Sequence, residues 1–369
     1  MGPEDFDRPL HMILGLPFDA VGMQDVIARL RAVPESRERC FISTPNLNFL
    51  IAARSDPDFR QSVFDSDLSL ADGMPIIWIA RLLRIPLPER VPGSGLMETL
   101  RRAPPDTGKP LRVFFFGGEP GMAEKACCAL KAAPGGMICV GAIDPGYGSA
   151  AALSKPAHID AINTARPDFL IVSLGAKKGQ EWIVANLPML EVPTVAHLGA
   201  VMKFIAGDVA RAPGWLQRLG LEWMWRIREE PALWRRYVGD GCAFIDLLCT
   251  RVLPLVLWNR FRAPRTREIP RDVVAVERRQ AGRRLVRLTG SLSGESIDAI
   301  REAFRELARA RAPADLDFSA VRHIDSAFLG QLHLLRSLSR SEGFELRLLA
   351  MPARIRKIIG WYLCDHVLE

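Results

Sequence analysis

Short apolar runs recur through the first 200 residues, and between them apolar residues return every three or four positions. The runs fall at residues 12–15, 40–43, 111–116, 137–140, 169–173 and 194–197. Helical spacing fills residues 119–133, 156–165 and 180–187. Runs apolar on both faces, with helices between them, predict an α/β fold with a doubly wound, mostly parallel sheet. The last four runs each end close to a glycine. Ligands of such sheets bind beyond the carboxyl ends of the strands.

Beyond residue 203 the pattern becomes helical and rich in Arg and Trp, with Trp215, Trp223, Trp225 and Trp234 inside 20 residues. Pro231 suits the first turn of a new helix. Residues 259–271 hold five arginines and two prolines with little apolar content, the composition of a linker. Alternation then restarts. Strands are expected at 273–276, 285–288, 314–318 and 345–349, with helices at 295–309, 327–338 and 353–361. The division expected is residues 1–202, an α/β domain; 203–258, a helical appendage; 259–271, a linker; and 272–369, a smaller α/β domain.

A chain of 369 residues with 49% hydrophobic and 25% charged residues can bury more than one core. Its seven cysteines show no CxxC pair and lie in apolar stretches, so they are expected to be reduced and buried. The first residues lack a basic stretch followed by an apolar run, so no secretory signal is read. Residues 242–258 form the most apolar stretch. Asp246, Arg251 and Pro254 interrupt it, which argues against a membrane span. The net charge of +7 is concentrated: residues 211–271 carry twelve arginines, no lysine and six acids. Charge placed beside Trp-rich helices suits an anionic membrane surface or a phosphate-rich ligand, and nucleic acid is not an expected partner.

Leu70-Ala71-Asp72-Gly73-Met74-Pro75 ends an apolar run on a carboxylate next to a glycine. Asp72 is either a helix cap or a base placed to take a proton from a hydroxyl nucleophile. Thr44-Pro45-Asn46 follows the second run. These residues either cap the next helix or offer polar groups to a phosphate or a sugar hydroxyl. Phe116-Gly117-Gly118-Glu119 is an ordinary strand-to-helix turn or one that lets the backbone approach a nucleotide. It is neither a Walker loop nor a full GxGxxG. No metal-ligand motif is present, and the six histidines are isolated. A departing diphosphate would then need cations, which Arg211, Arg218, Arg226, Arg228, Arg235 and Arg236 could supply unless they form a solvated basic face or one that meets anionic lipid.

Taken together, these stretches resemble the WecG/TagA/CpsF family of bacterial glycosyltransferases. Further matches are Glu89-Arg90-Val91-Pro92-Gly93-Ser94-Gly95-Leu96, Pro145-Gly146-Tyr147-Gly148, Leu174-Gly175 with Gln180-Glu181, Gly207 with Arg211-Ala212-Pro213, and Leu221-Glu222-Trp223-Met224-Trp225-Arg226. The resemblance covers about residues 10–245. It implies inverting, metal-independent transfer from a UDP-sugar of the UDP-N-acetylmannosamine type to a polyprenyl-diphosphate-linked acceptor. The setting would be exopolysaccharide or surface-glycan synthesis on the cytoplasmic side of the membrane, by a peripheral enzyme. It also implies Asp72 as base, with Arg90 a second catalytic residue. Thr44, Asn46, Gly117, Gly118, Tyr147, Gly175, Gln180, Arg211, Arg226, Arg235 and Arg236 would bind substrate, and no cofactor is called for. The family's Gly-x-Pro-Lys-Gln-Glu reads here Gly175-Ala176-Lys177-Lys178-Gly179-Gln180-Glu181, one residue longer and without the proline.

The third region resembles STAS domains through Leu316-Asp317-Phe318-Ser319 and Ile324-Asp325-Ser326-Ala327. Regulatory members usually carry a phosphorylated hydroxyl after the Asp-Ser pair, where this chain has Ala327. A docking or self-association module is expected. The alternative to an enzyme is a degenerate transferase domain that binds a nucleotide-sugar and signals through the STAS-like domain.

Overall fold

The computed structural model describes residues 2–102, 109–133, 135–261, 274–278 and 283–368. Twelve strands follow in chain order: β1 (Leu10–Ile13), β2 (Leu16–Asp19), β3 (Cys40–Ser43), β4 (Leu68–Ser69), β5 (Leu111–Gly117), β6 (Met137–Ile143), β7 (Phe169–Ser173), β8 (Thr194–His197), β9 (Val274–Arg278), β10 (Arg284–Leu292), β11 (Ala314–Ile324) and β12 (Leu346–Leu349). The chain divides into two compact units. One holds Val21–Trp78 and Leu87–Phe244. The other holds Met1–Ala20, Ile79–Pro86 and Ile245–Glu369, as far as these are described.

The first unit is built on a six-stranded sheet in the order β4-β3-β8-β7-β5-β6. Every pairing in it is parallel. β3, β7 and β8 are buried along their whole length because helices cover both faces. One face packs Val26, Ile27, Leu30, Leu96, Ala126 and Met202 against the sheet. The other packs Ile159, Ile162, Trp182 and Ile183. Trp182 stacks on Phe116 with ring centroids 4.3 Å apart. The expected doubly wound α/β architecture is present.

The second unit contains a four-stranded sheet in the order β12-β11-β10-β9, with β9 antiparallel and the other pairings parallel. Asp325 caps the Ser326–Glu342 helix by accepting from Phe328 N–H at 3.0 Å, and it also accepts from Gly294 N–H at 2.8 Å.

Three expectations need correction here. The run at 12–15 is not a strand of the parallel sheet. It belongs to the β1–β2 hairpin, whose two-residue turn, Leu14-Gly15, has positive φ at both positions. Such turns match the twist of a hairpin. The hairpin falls in the unit that holds the STAS-like fold, where β1 packs on the Ser326–Glu342 helix. His11 Nδ1 lies 3.0 Å from Ser326 Oγ, and both side chains are buried.

The cysteines also differ from the expectation. Cys127 and Cys139 form a disulfide, while Cys128, Cys242 and Cys249 are exposed. Folding sets the Cα atoms of the bonded pair 5.2 Å apart, a proximity that a spacing of twelve residues does not signal.

The appendage is more continuous than composition suggested. Pro231–Phe261 is one helix, long and apolar enough to cross a membrane by length and composition alone. A π-helical turn at Leu248–Val252 ends two residues before Pro254, where widened winding tolerates a proline's missing N–H within a helix. Residues 259–261 of the expected linker end this helix, and 262–271 lie outside the described residues. Of the strand expected at 273–276, residue 273 is also outside them.

Candidate active site

The carboxyl edge of the six-stranded sheet gathers the polar residues. After β3 the chain turns through Thr44, Pro45 and Asn46, and Asn46 caps the Leu47–Ser55 helix by accepting from Phe49 N–H at 3.3 Å. The segment after β4 runs alongside: Leu70 N–H donates to Ser43 O at 2.9 Å and Asp72 N–H to Pro45 O at 3.0 Å. Residues 90–92 add a further rung, with Val91 N–H on Ala71 O at 2.9 Å. This backbone ladder brings Asn46, Asp72 and Arg90 to one corner. Gly73, at φ 125°, makes the turn that a side chain would strain.

The electrostatics of this corner centre on Asp72. It is half-buried, and burial pushes its carboxyl up to about 6. The Arg90 guanidinium opposes that rise, Glu222 adds to it, and Arg226 and the Gly93 N–H oppose it. Arg90 Nη1 donates to Glu222 Oε2 at 2.7 Å. Further ion pairs connect the Glu222–Glu229 helix and its C-cap, Glu230, to the rest of the unit. Arg226 pairs with Glu230 at 3.2 Å, and Lys203 pairs with Glu230 at 2.8 Å and with Glu119 at 2.7 Å. The Arg226 guanidinium also lies 5.4 Å from the centre of the Phe204 ring. The result is a carboxylate of raised basicity beside two guanidiniums. Such a site can accept a proton from a hydroxyl and offset charge on a phosphate.

The structure brings some of the expected residues together and leaves others apart. Thr44 is buried and its Oγ1 lies 3.5 Å from His197 O, at the end of β8. Gln180 is fully enclosed, and its Nε2 donates to Ser43 Oγ at 2.9 Å. It braces the end of β3 from inside. Gly117 closes β5, and Gly118 N–H donates to Ser173 O at 2.7 Å. Gly175 precedes the Ala176–Asn186 helix. Tyr147 is 84% exposed. Arg211 donates to Gln217 at 3.2 Å and lines a separate pocket of about 380 Å³ with Arg101 and Phe204. Arg235 and Arg236 are exposed on the long helix and stack on Trp234 and Tyr237, at 5.6 and 5.2 Å.

Sequence reasoning missed Glu222, Lys203 and Glu230 as site residues. Glu222 and Arg226 stand four apart, a helical pairing distance, but that spacing does not reveal that Glu222 turns to Arg90 instead. It also passed over His197, which is buried at the sheet's ligand edge. Among the described residues no group of three or more His, Cys, Asp or Glu side chains is placed to hold a metal ion.

The model of the Glycosyl transferase WecG/TagA/CpsF family matches residues 11–255. The chain belongs to this family. A second family model, described as Mlab, STAS domain, matches residues 276–369, the segment that forms the four-stranded mixed sheet. The chain is 27% identical over 206 residues to an N-acetylglucosaminyldiphosphoundecaprenol N-acetyl-beta-D-mannosaminyltransferase of Bacillus spizizenii, covering 56% of this chain and 77% of that one. It is 26% identical over 230 residues to a protein of the same name from Staphylococcus aureus, covering 61% of this chain and 85% of that one. As a WecG/TagA/CpsF member the protein is a glycosyltransferase with an additional C-terminal STAS domain. The corner formed by Asn46, Asp72, Arg90 and Arg226 lies within the matched residues.

Proposed function

We propose that the protein transfers an N-acetylhexosamine, of the N-acetylmannosamine type, from a UDP-sugar to a polyprenyl-diphosphate-linked N-acetylglucosamine during surface-glycan synthesis. The observation that carries this reading is Asp72, a carboxylate with its proton affinity raised by burial, beside Arg90 and Arg226. Asp72 accepts the proton of the acceptor hydroxyl as that oxygen attacks the anomeric carbon. UDP departs from the opposite face, so the configuration inverts. An incoming diphosphate replaces Glu222 and Glu230 as partner of the two guanidiniums, which offset the charge that builds on the leaving group. Arginines serve here in the place of a metal ion. The names of the relatives support the acceptor and the sugar class.

We place the enzyme at the cytoplasmic face of the membrane, as a peripheral protein. On the long helix, Trp234, Val238, Cys242, Ile245, Cys249, Leu253, Leu257 and Phe261 recur at helical spacing and are all exposed. Leu247, Val252 and Leu255 are buried instead, and Arg251 Nη1 donates to Gly360 O at 3.0 Å. A helix with one side packed on protein and an apolar stripe on the other suits a membrane interface, where a lipid-linked acceptor is reached.

The test is incubation with UDP-N-acetylmannosamine and a short-chain lipid-diphosphate N-acetylglucosamine, with and without chelator, followed by mass spectrometry. A disaccharide product with β-linked N-acetylhexosamine, formed equally with chelator, supports the reading. Absence of product across a panel of UDP-sugars refutes it.

A further inference from the structure

The cavity of about 380 Å³ lies between two helices of the first unit, Gly93–Arg102 and Val201–Ala206. Its volume is at the lower end of the range for small-molecule sites. Ser94, Met97, Glu98 and Arg101 reach it from one face of the first helix, at helical spacing. Its charged lining is basic. Glu98 pairs with Arg102 at 2.7 Å, which leaves Arg101 and Arg211 with no carboxylate partner among the described residues. Arg211 donates to the Gln217 amide at 3.2 Å, and its Nε is buried without an acceptor. A β-carbon on Gly95 would lie 3.6 Å from Arg211 Nη2, so a glycine stands where an acidic side chain would meet this guanidinium. Two guanidiniums lining one cavity call for an anion with several oxygens, such as a phosphate or diphosphate.

The rest of the lining chooses among such anions. Met97, Val201, Phe204, Ile205 and Val209 are apolar and require an apolar partner. The Gln217 amide is engaged at both ends, since its Nε2 donates to Ala212 O at 2.7 Å, so it is not free to read a nucleobase edge. The cavity therefore suits a phosphate ester of an alkyl chain better than a nucleotide. It also borders the Asp72 corner. Ser94 follows Gly93, whose N–H bears on Asp72, and the Phe204 ring of its wall lies 5.4 Å from the Arg226 guanidinium.

We infer that this cavity seats the diphosphate and the first isoprene units of the lipid-linked acceptor. Arg101 and Arg211 hold the diphosphate, and the prenyl chain lies on the apolar wall around Phe204. Assigning the prenyl diphosphate to the acceptor rests on the proposed transfer reaction. That reaction brings two diphosphates to one carboxylate, and two like charges need separate cations: Arg90 and Arg226 for the donor, Arg101 and Arg211 for the acceptor.

Calorimetric titration of the full chain with farnesyl diphosphate, inorganic pyrophosphate and dihexanoylphosphatidylglycerol, with and without saturating UDP, tests this. Farnesyl diphosphate should bind at least about tenfold more tightly than either other probe, and UDP should not displace it. Arg101→Gln, at a half-buried position, and Arg211→Gln should each weaken it about tenfold, the scale of one charged hydrogen bond, and leave UDP binding within about twofold of wild type. Gly95→Asp keeps both arginines and supplies the missing carboxylate, so it should weaken farnesyl diphosphate to a similar degree. Displacement by UDP overturns the inference by assigning the cavity to the donor. Equal binding of pyrophosphate would make it a bare anion site, and equal binding of the phosphatidylglycerol a membrane headgroup site; either overturns the inference. So does farnesyl diphosphate binding that Arg101→Gln and Gly95→Asp leave unchanged. If farnesyl diphosphate binds as expected but no UDP-sugar gives product, the cavity stands as a prenyl-diphosphate site and the transfer reading fails. If transfer proceeds and Arg101→Gln leaves the KM for the lipid acceptor unchanged, only the role of the cavity fails.

Discussion

Arg90 and Glu222, 132 residues apart in the chain, form a 2.7 Å ion pair whose two charges act on Asp72 in opposite directions. Arg90 favours the ionised carboxylate and Glu222 disfavours it. Glu222→Gln removes the negative charge and frees the guanidinium, so the Asp72 pKa falls. The acid limb of the pH–rate profile should move to lower pH, and activity at pH 5 relative to pH 8 should rise. A limb that stays in place would show that the pair does not tune this carboxylate.

Asp72→Asn keeps the shape and removes the basicity. Turnover should drop by about 10²–10⁴-fold. Stability should respond with the opposite sign. The folded pKa of Asp72 is raised to about 6 from an ordinary 3.8, so ionisation is easier in the unfolded chain. Wild type therefore loses stability as pH rises from about 4 to about 6, and the loss persists above that window. Asp72→Asn should be more stable than wild type at pH 8, by about 1–3 kcal/mol after allowing for partial exposure, with the gain vanishing near pH 4. Denaturant melts at the two pH values check this.

Lys203 joins Glu119 to Glu230. Lys203→Met should loosen the Glu222–Glu229 helix, with only about 0.5–1 kcal/mol lost from overall stability because these pairs are partly exposed. Limited proteolysis should cut the 207–221 segment faster than in wild type, and high salt should produce the same change in wild type.

Gly330 touches the N-terminal hairpin: a β-carbon there would lie 2.3 Å from Leu10 O. Gly330→Ala should destabilise the unit by about 1–3 kcal/mol through that clash. Phe6, which packs 6.1 Å from Phe304, should become accessible to protease cleavage nearby. Unchanged thermal unfolding would mean the hairpin is not held there in solution.

The apolar stripe of the long helix gives a membrane prediction. Leu253→Glu with Leu257→Glu should weaken binding to vesicles containing anionic phospholipid by at least about tenfold, while transfer to a water-soluble acceptor analogue changes little. Cosedimentation measures the first and product formation the second.

Local pattern determined much of this protein by itself. β3, β7 and β8 fall where apolar runs predicted them, because a strand buried on both faces must be apolar throughout. The Pro156–Ala165 and Ala353–Trp361 helices match their expected bounds as well. Asp72, Asn46 and Thr44 were legible as candidates because a strand end beside a glycine or a cap is a local signature. Tertiary structure alone decided the rest. It paired Arg90 with Glu222, enclosed Gln180 against Ser43, left Tyr147 in solvent and brought Cys127 to Cys139. It also put His11 against Ser326, 315 positions away, although the family match begins at residue 11. Hydrophobic periodicity records which face a segment buries. It carries no information about which distant segment covers that face, because apolar burial is non-directional and many partners satisfy it equally well.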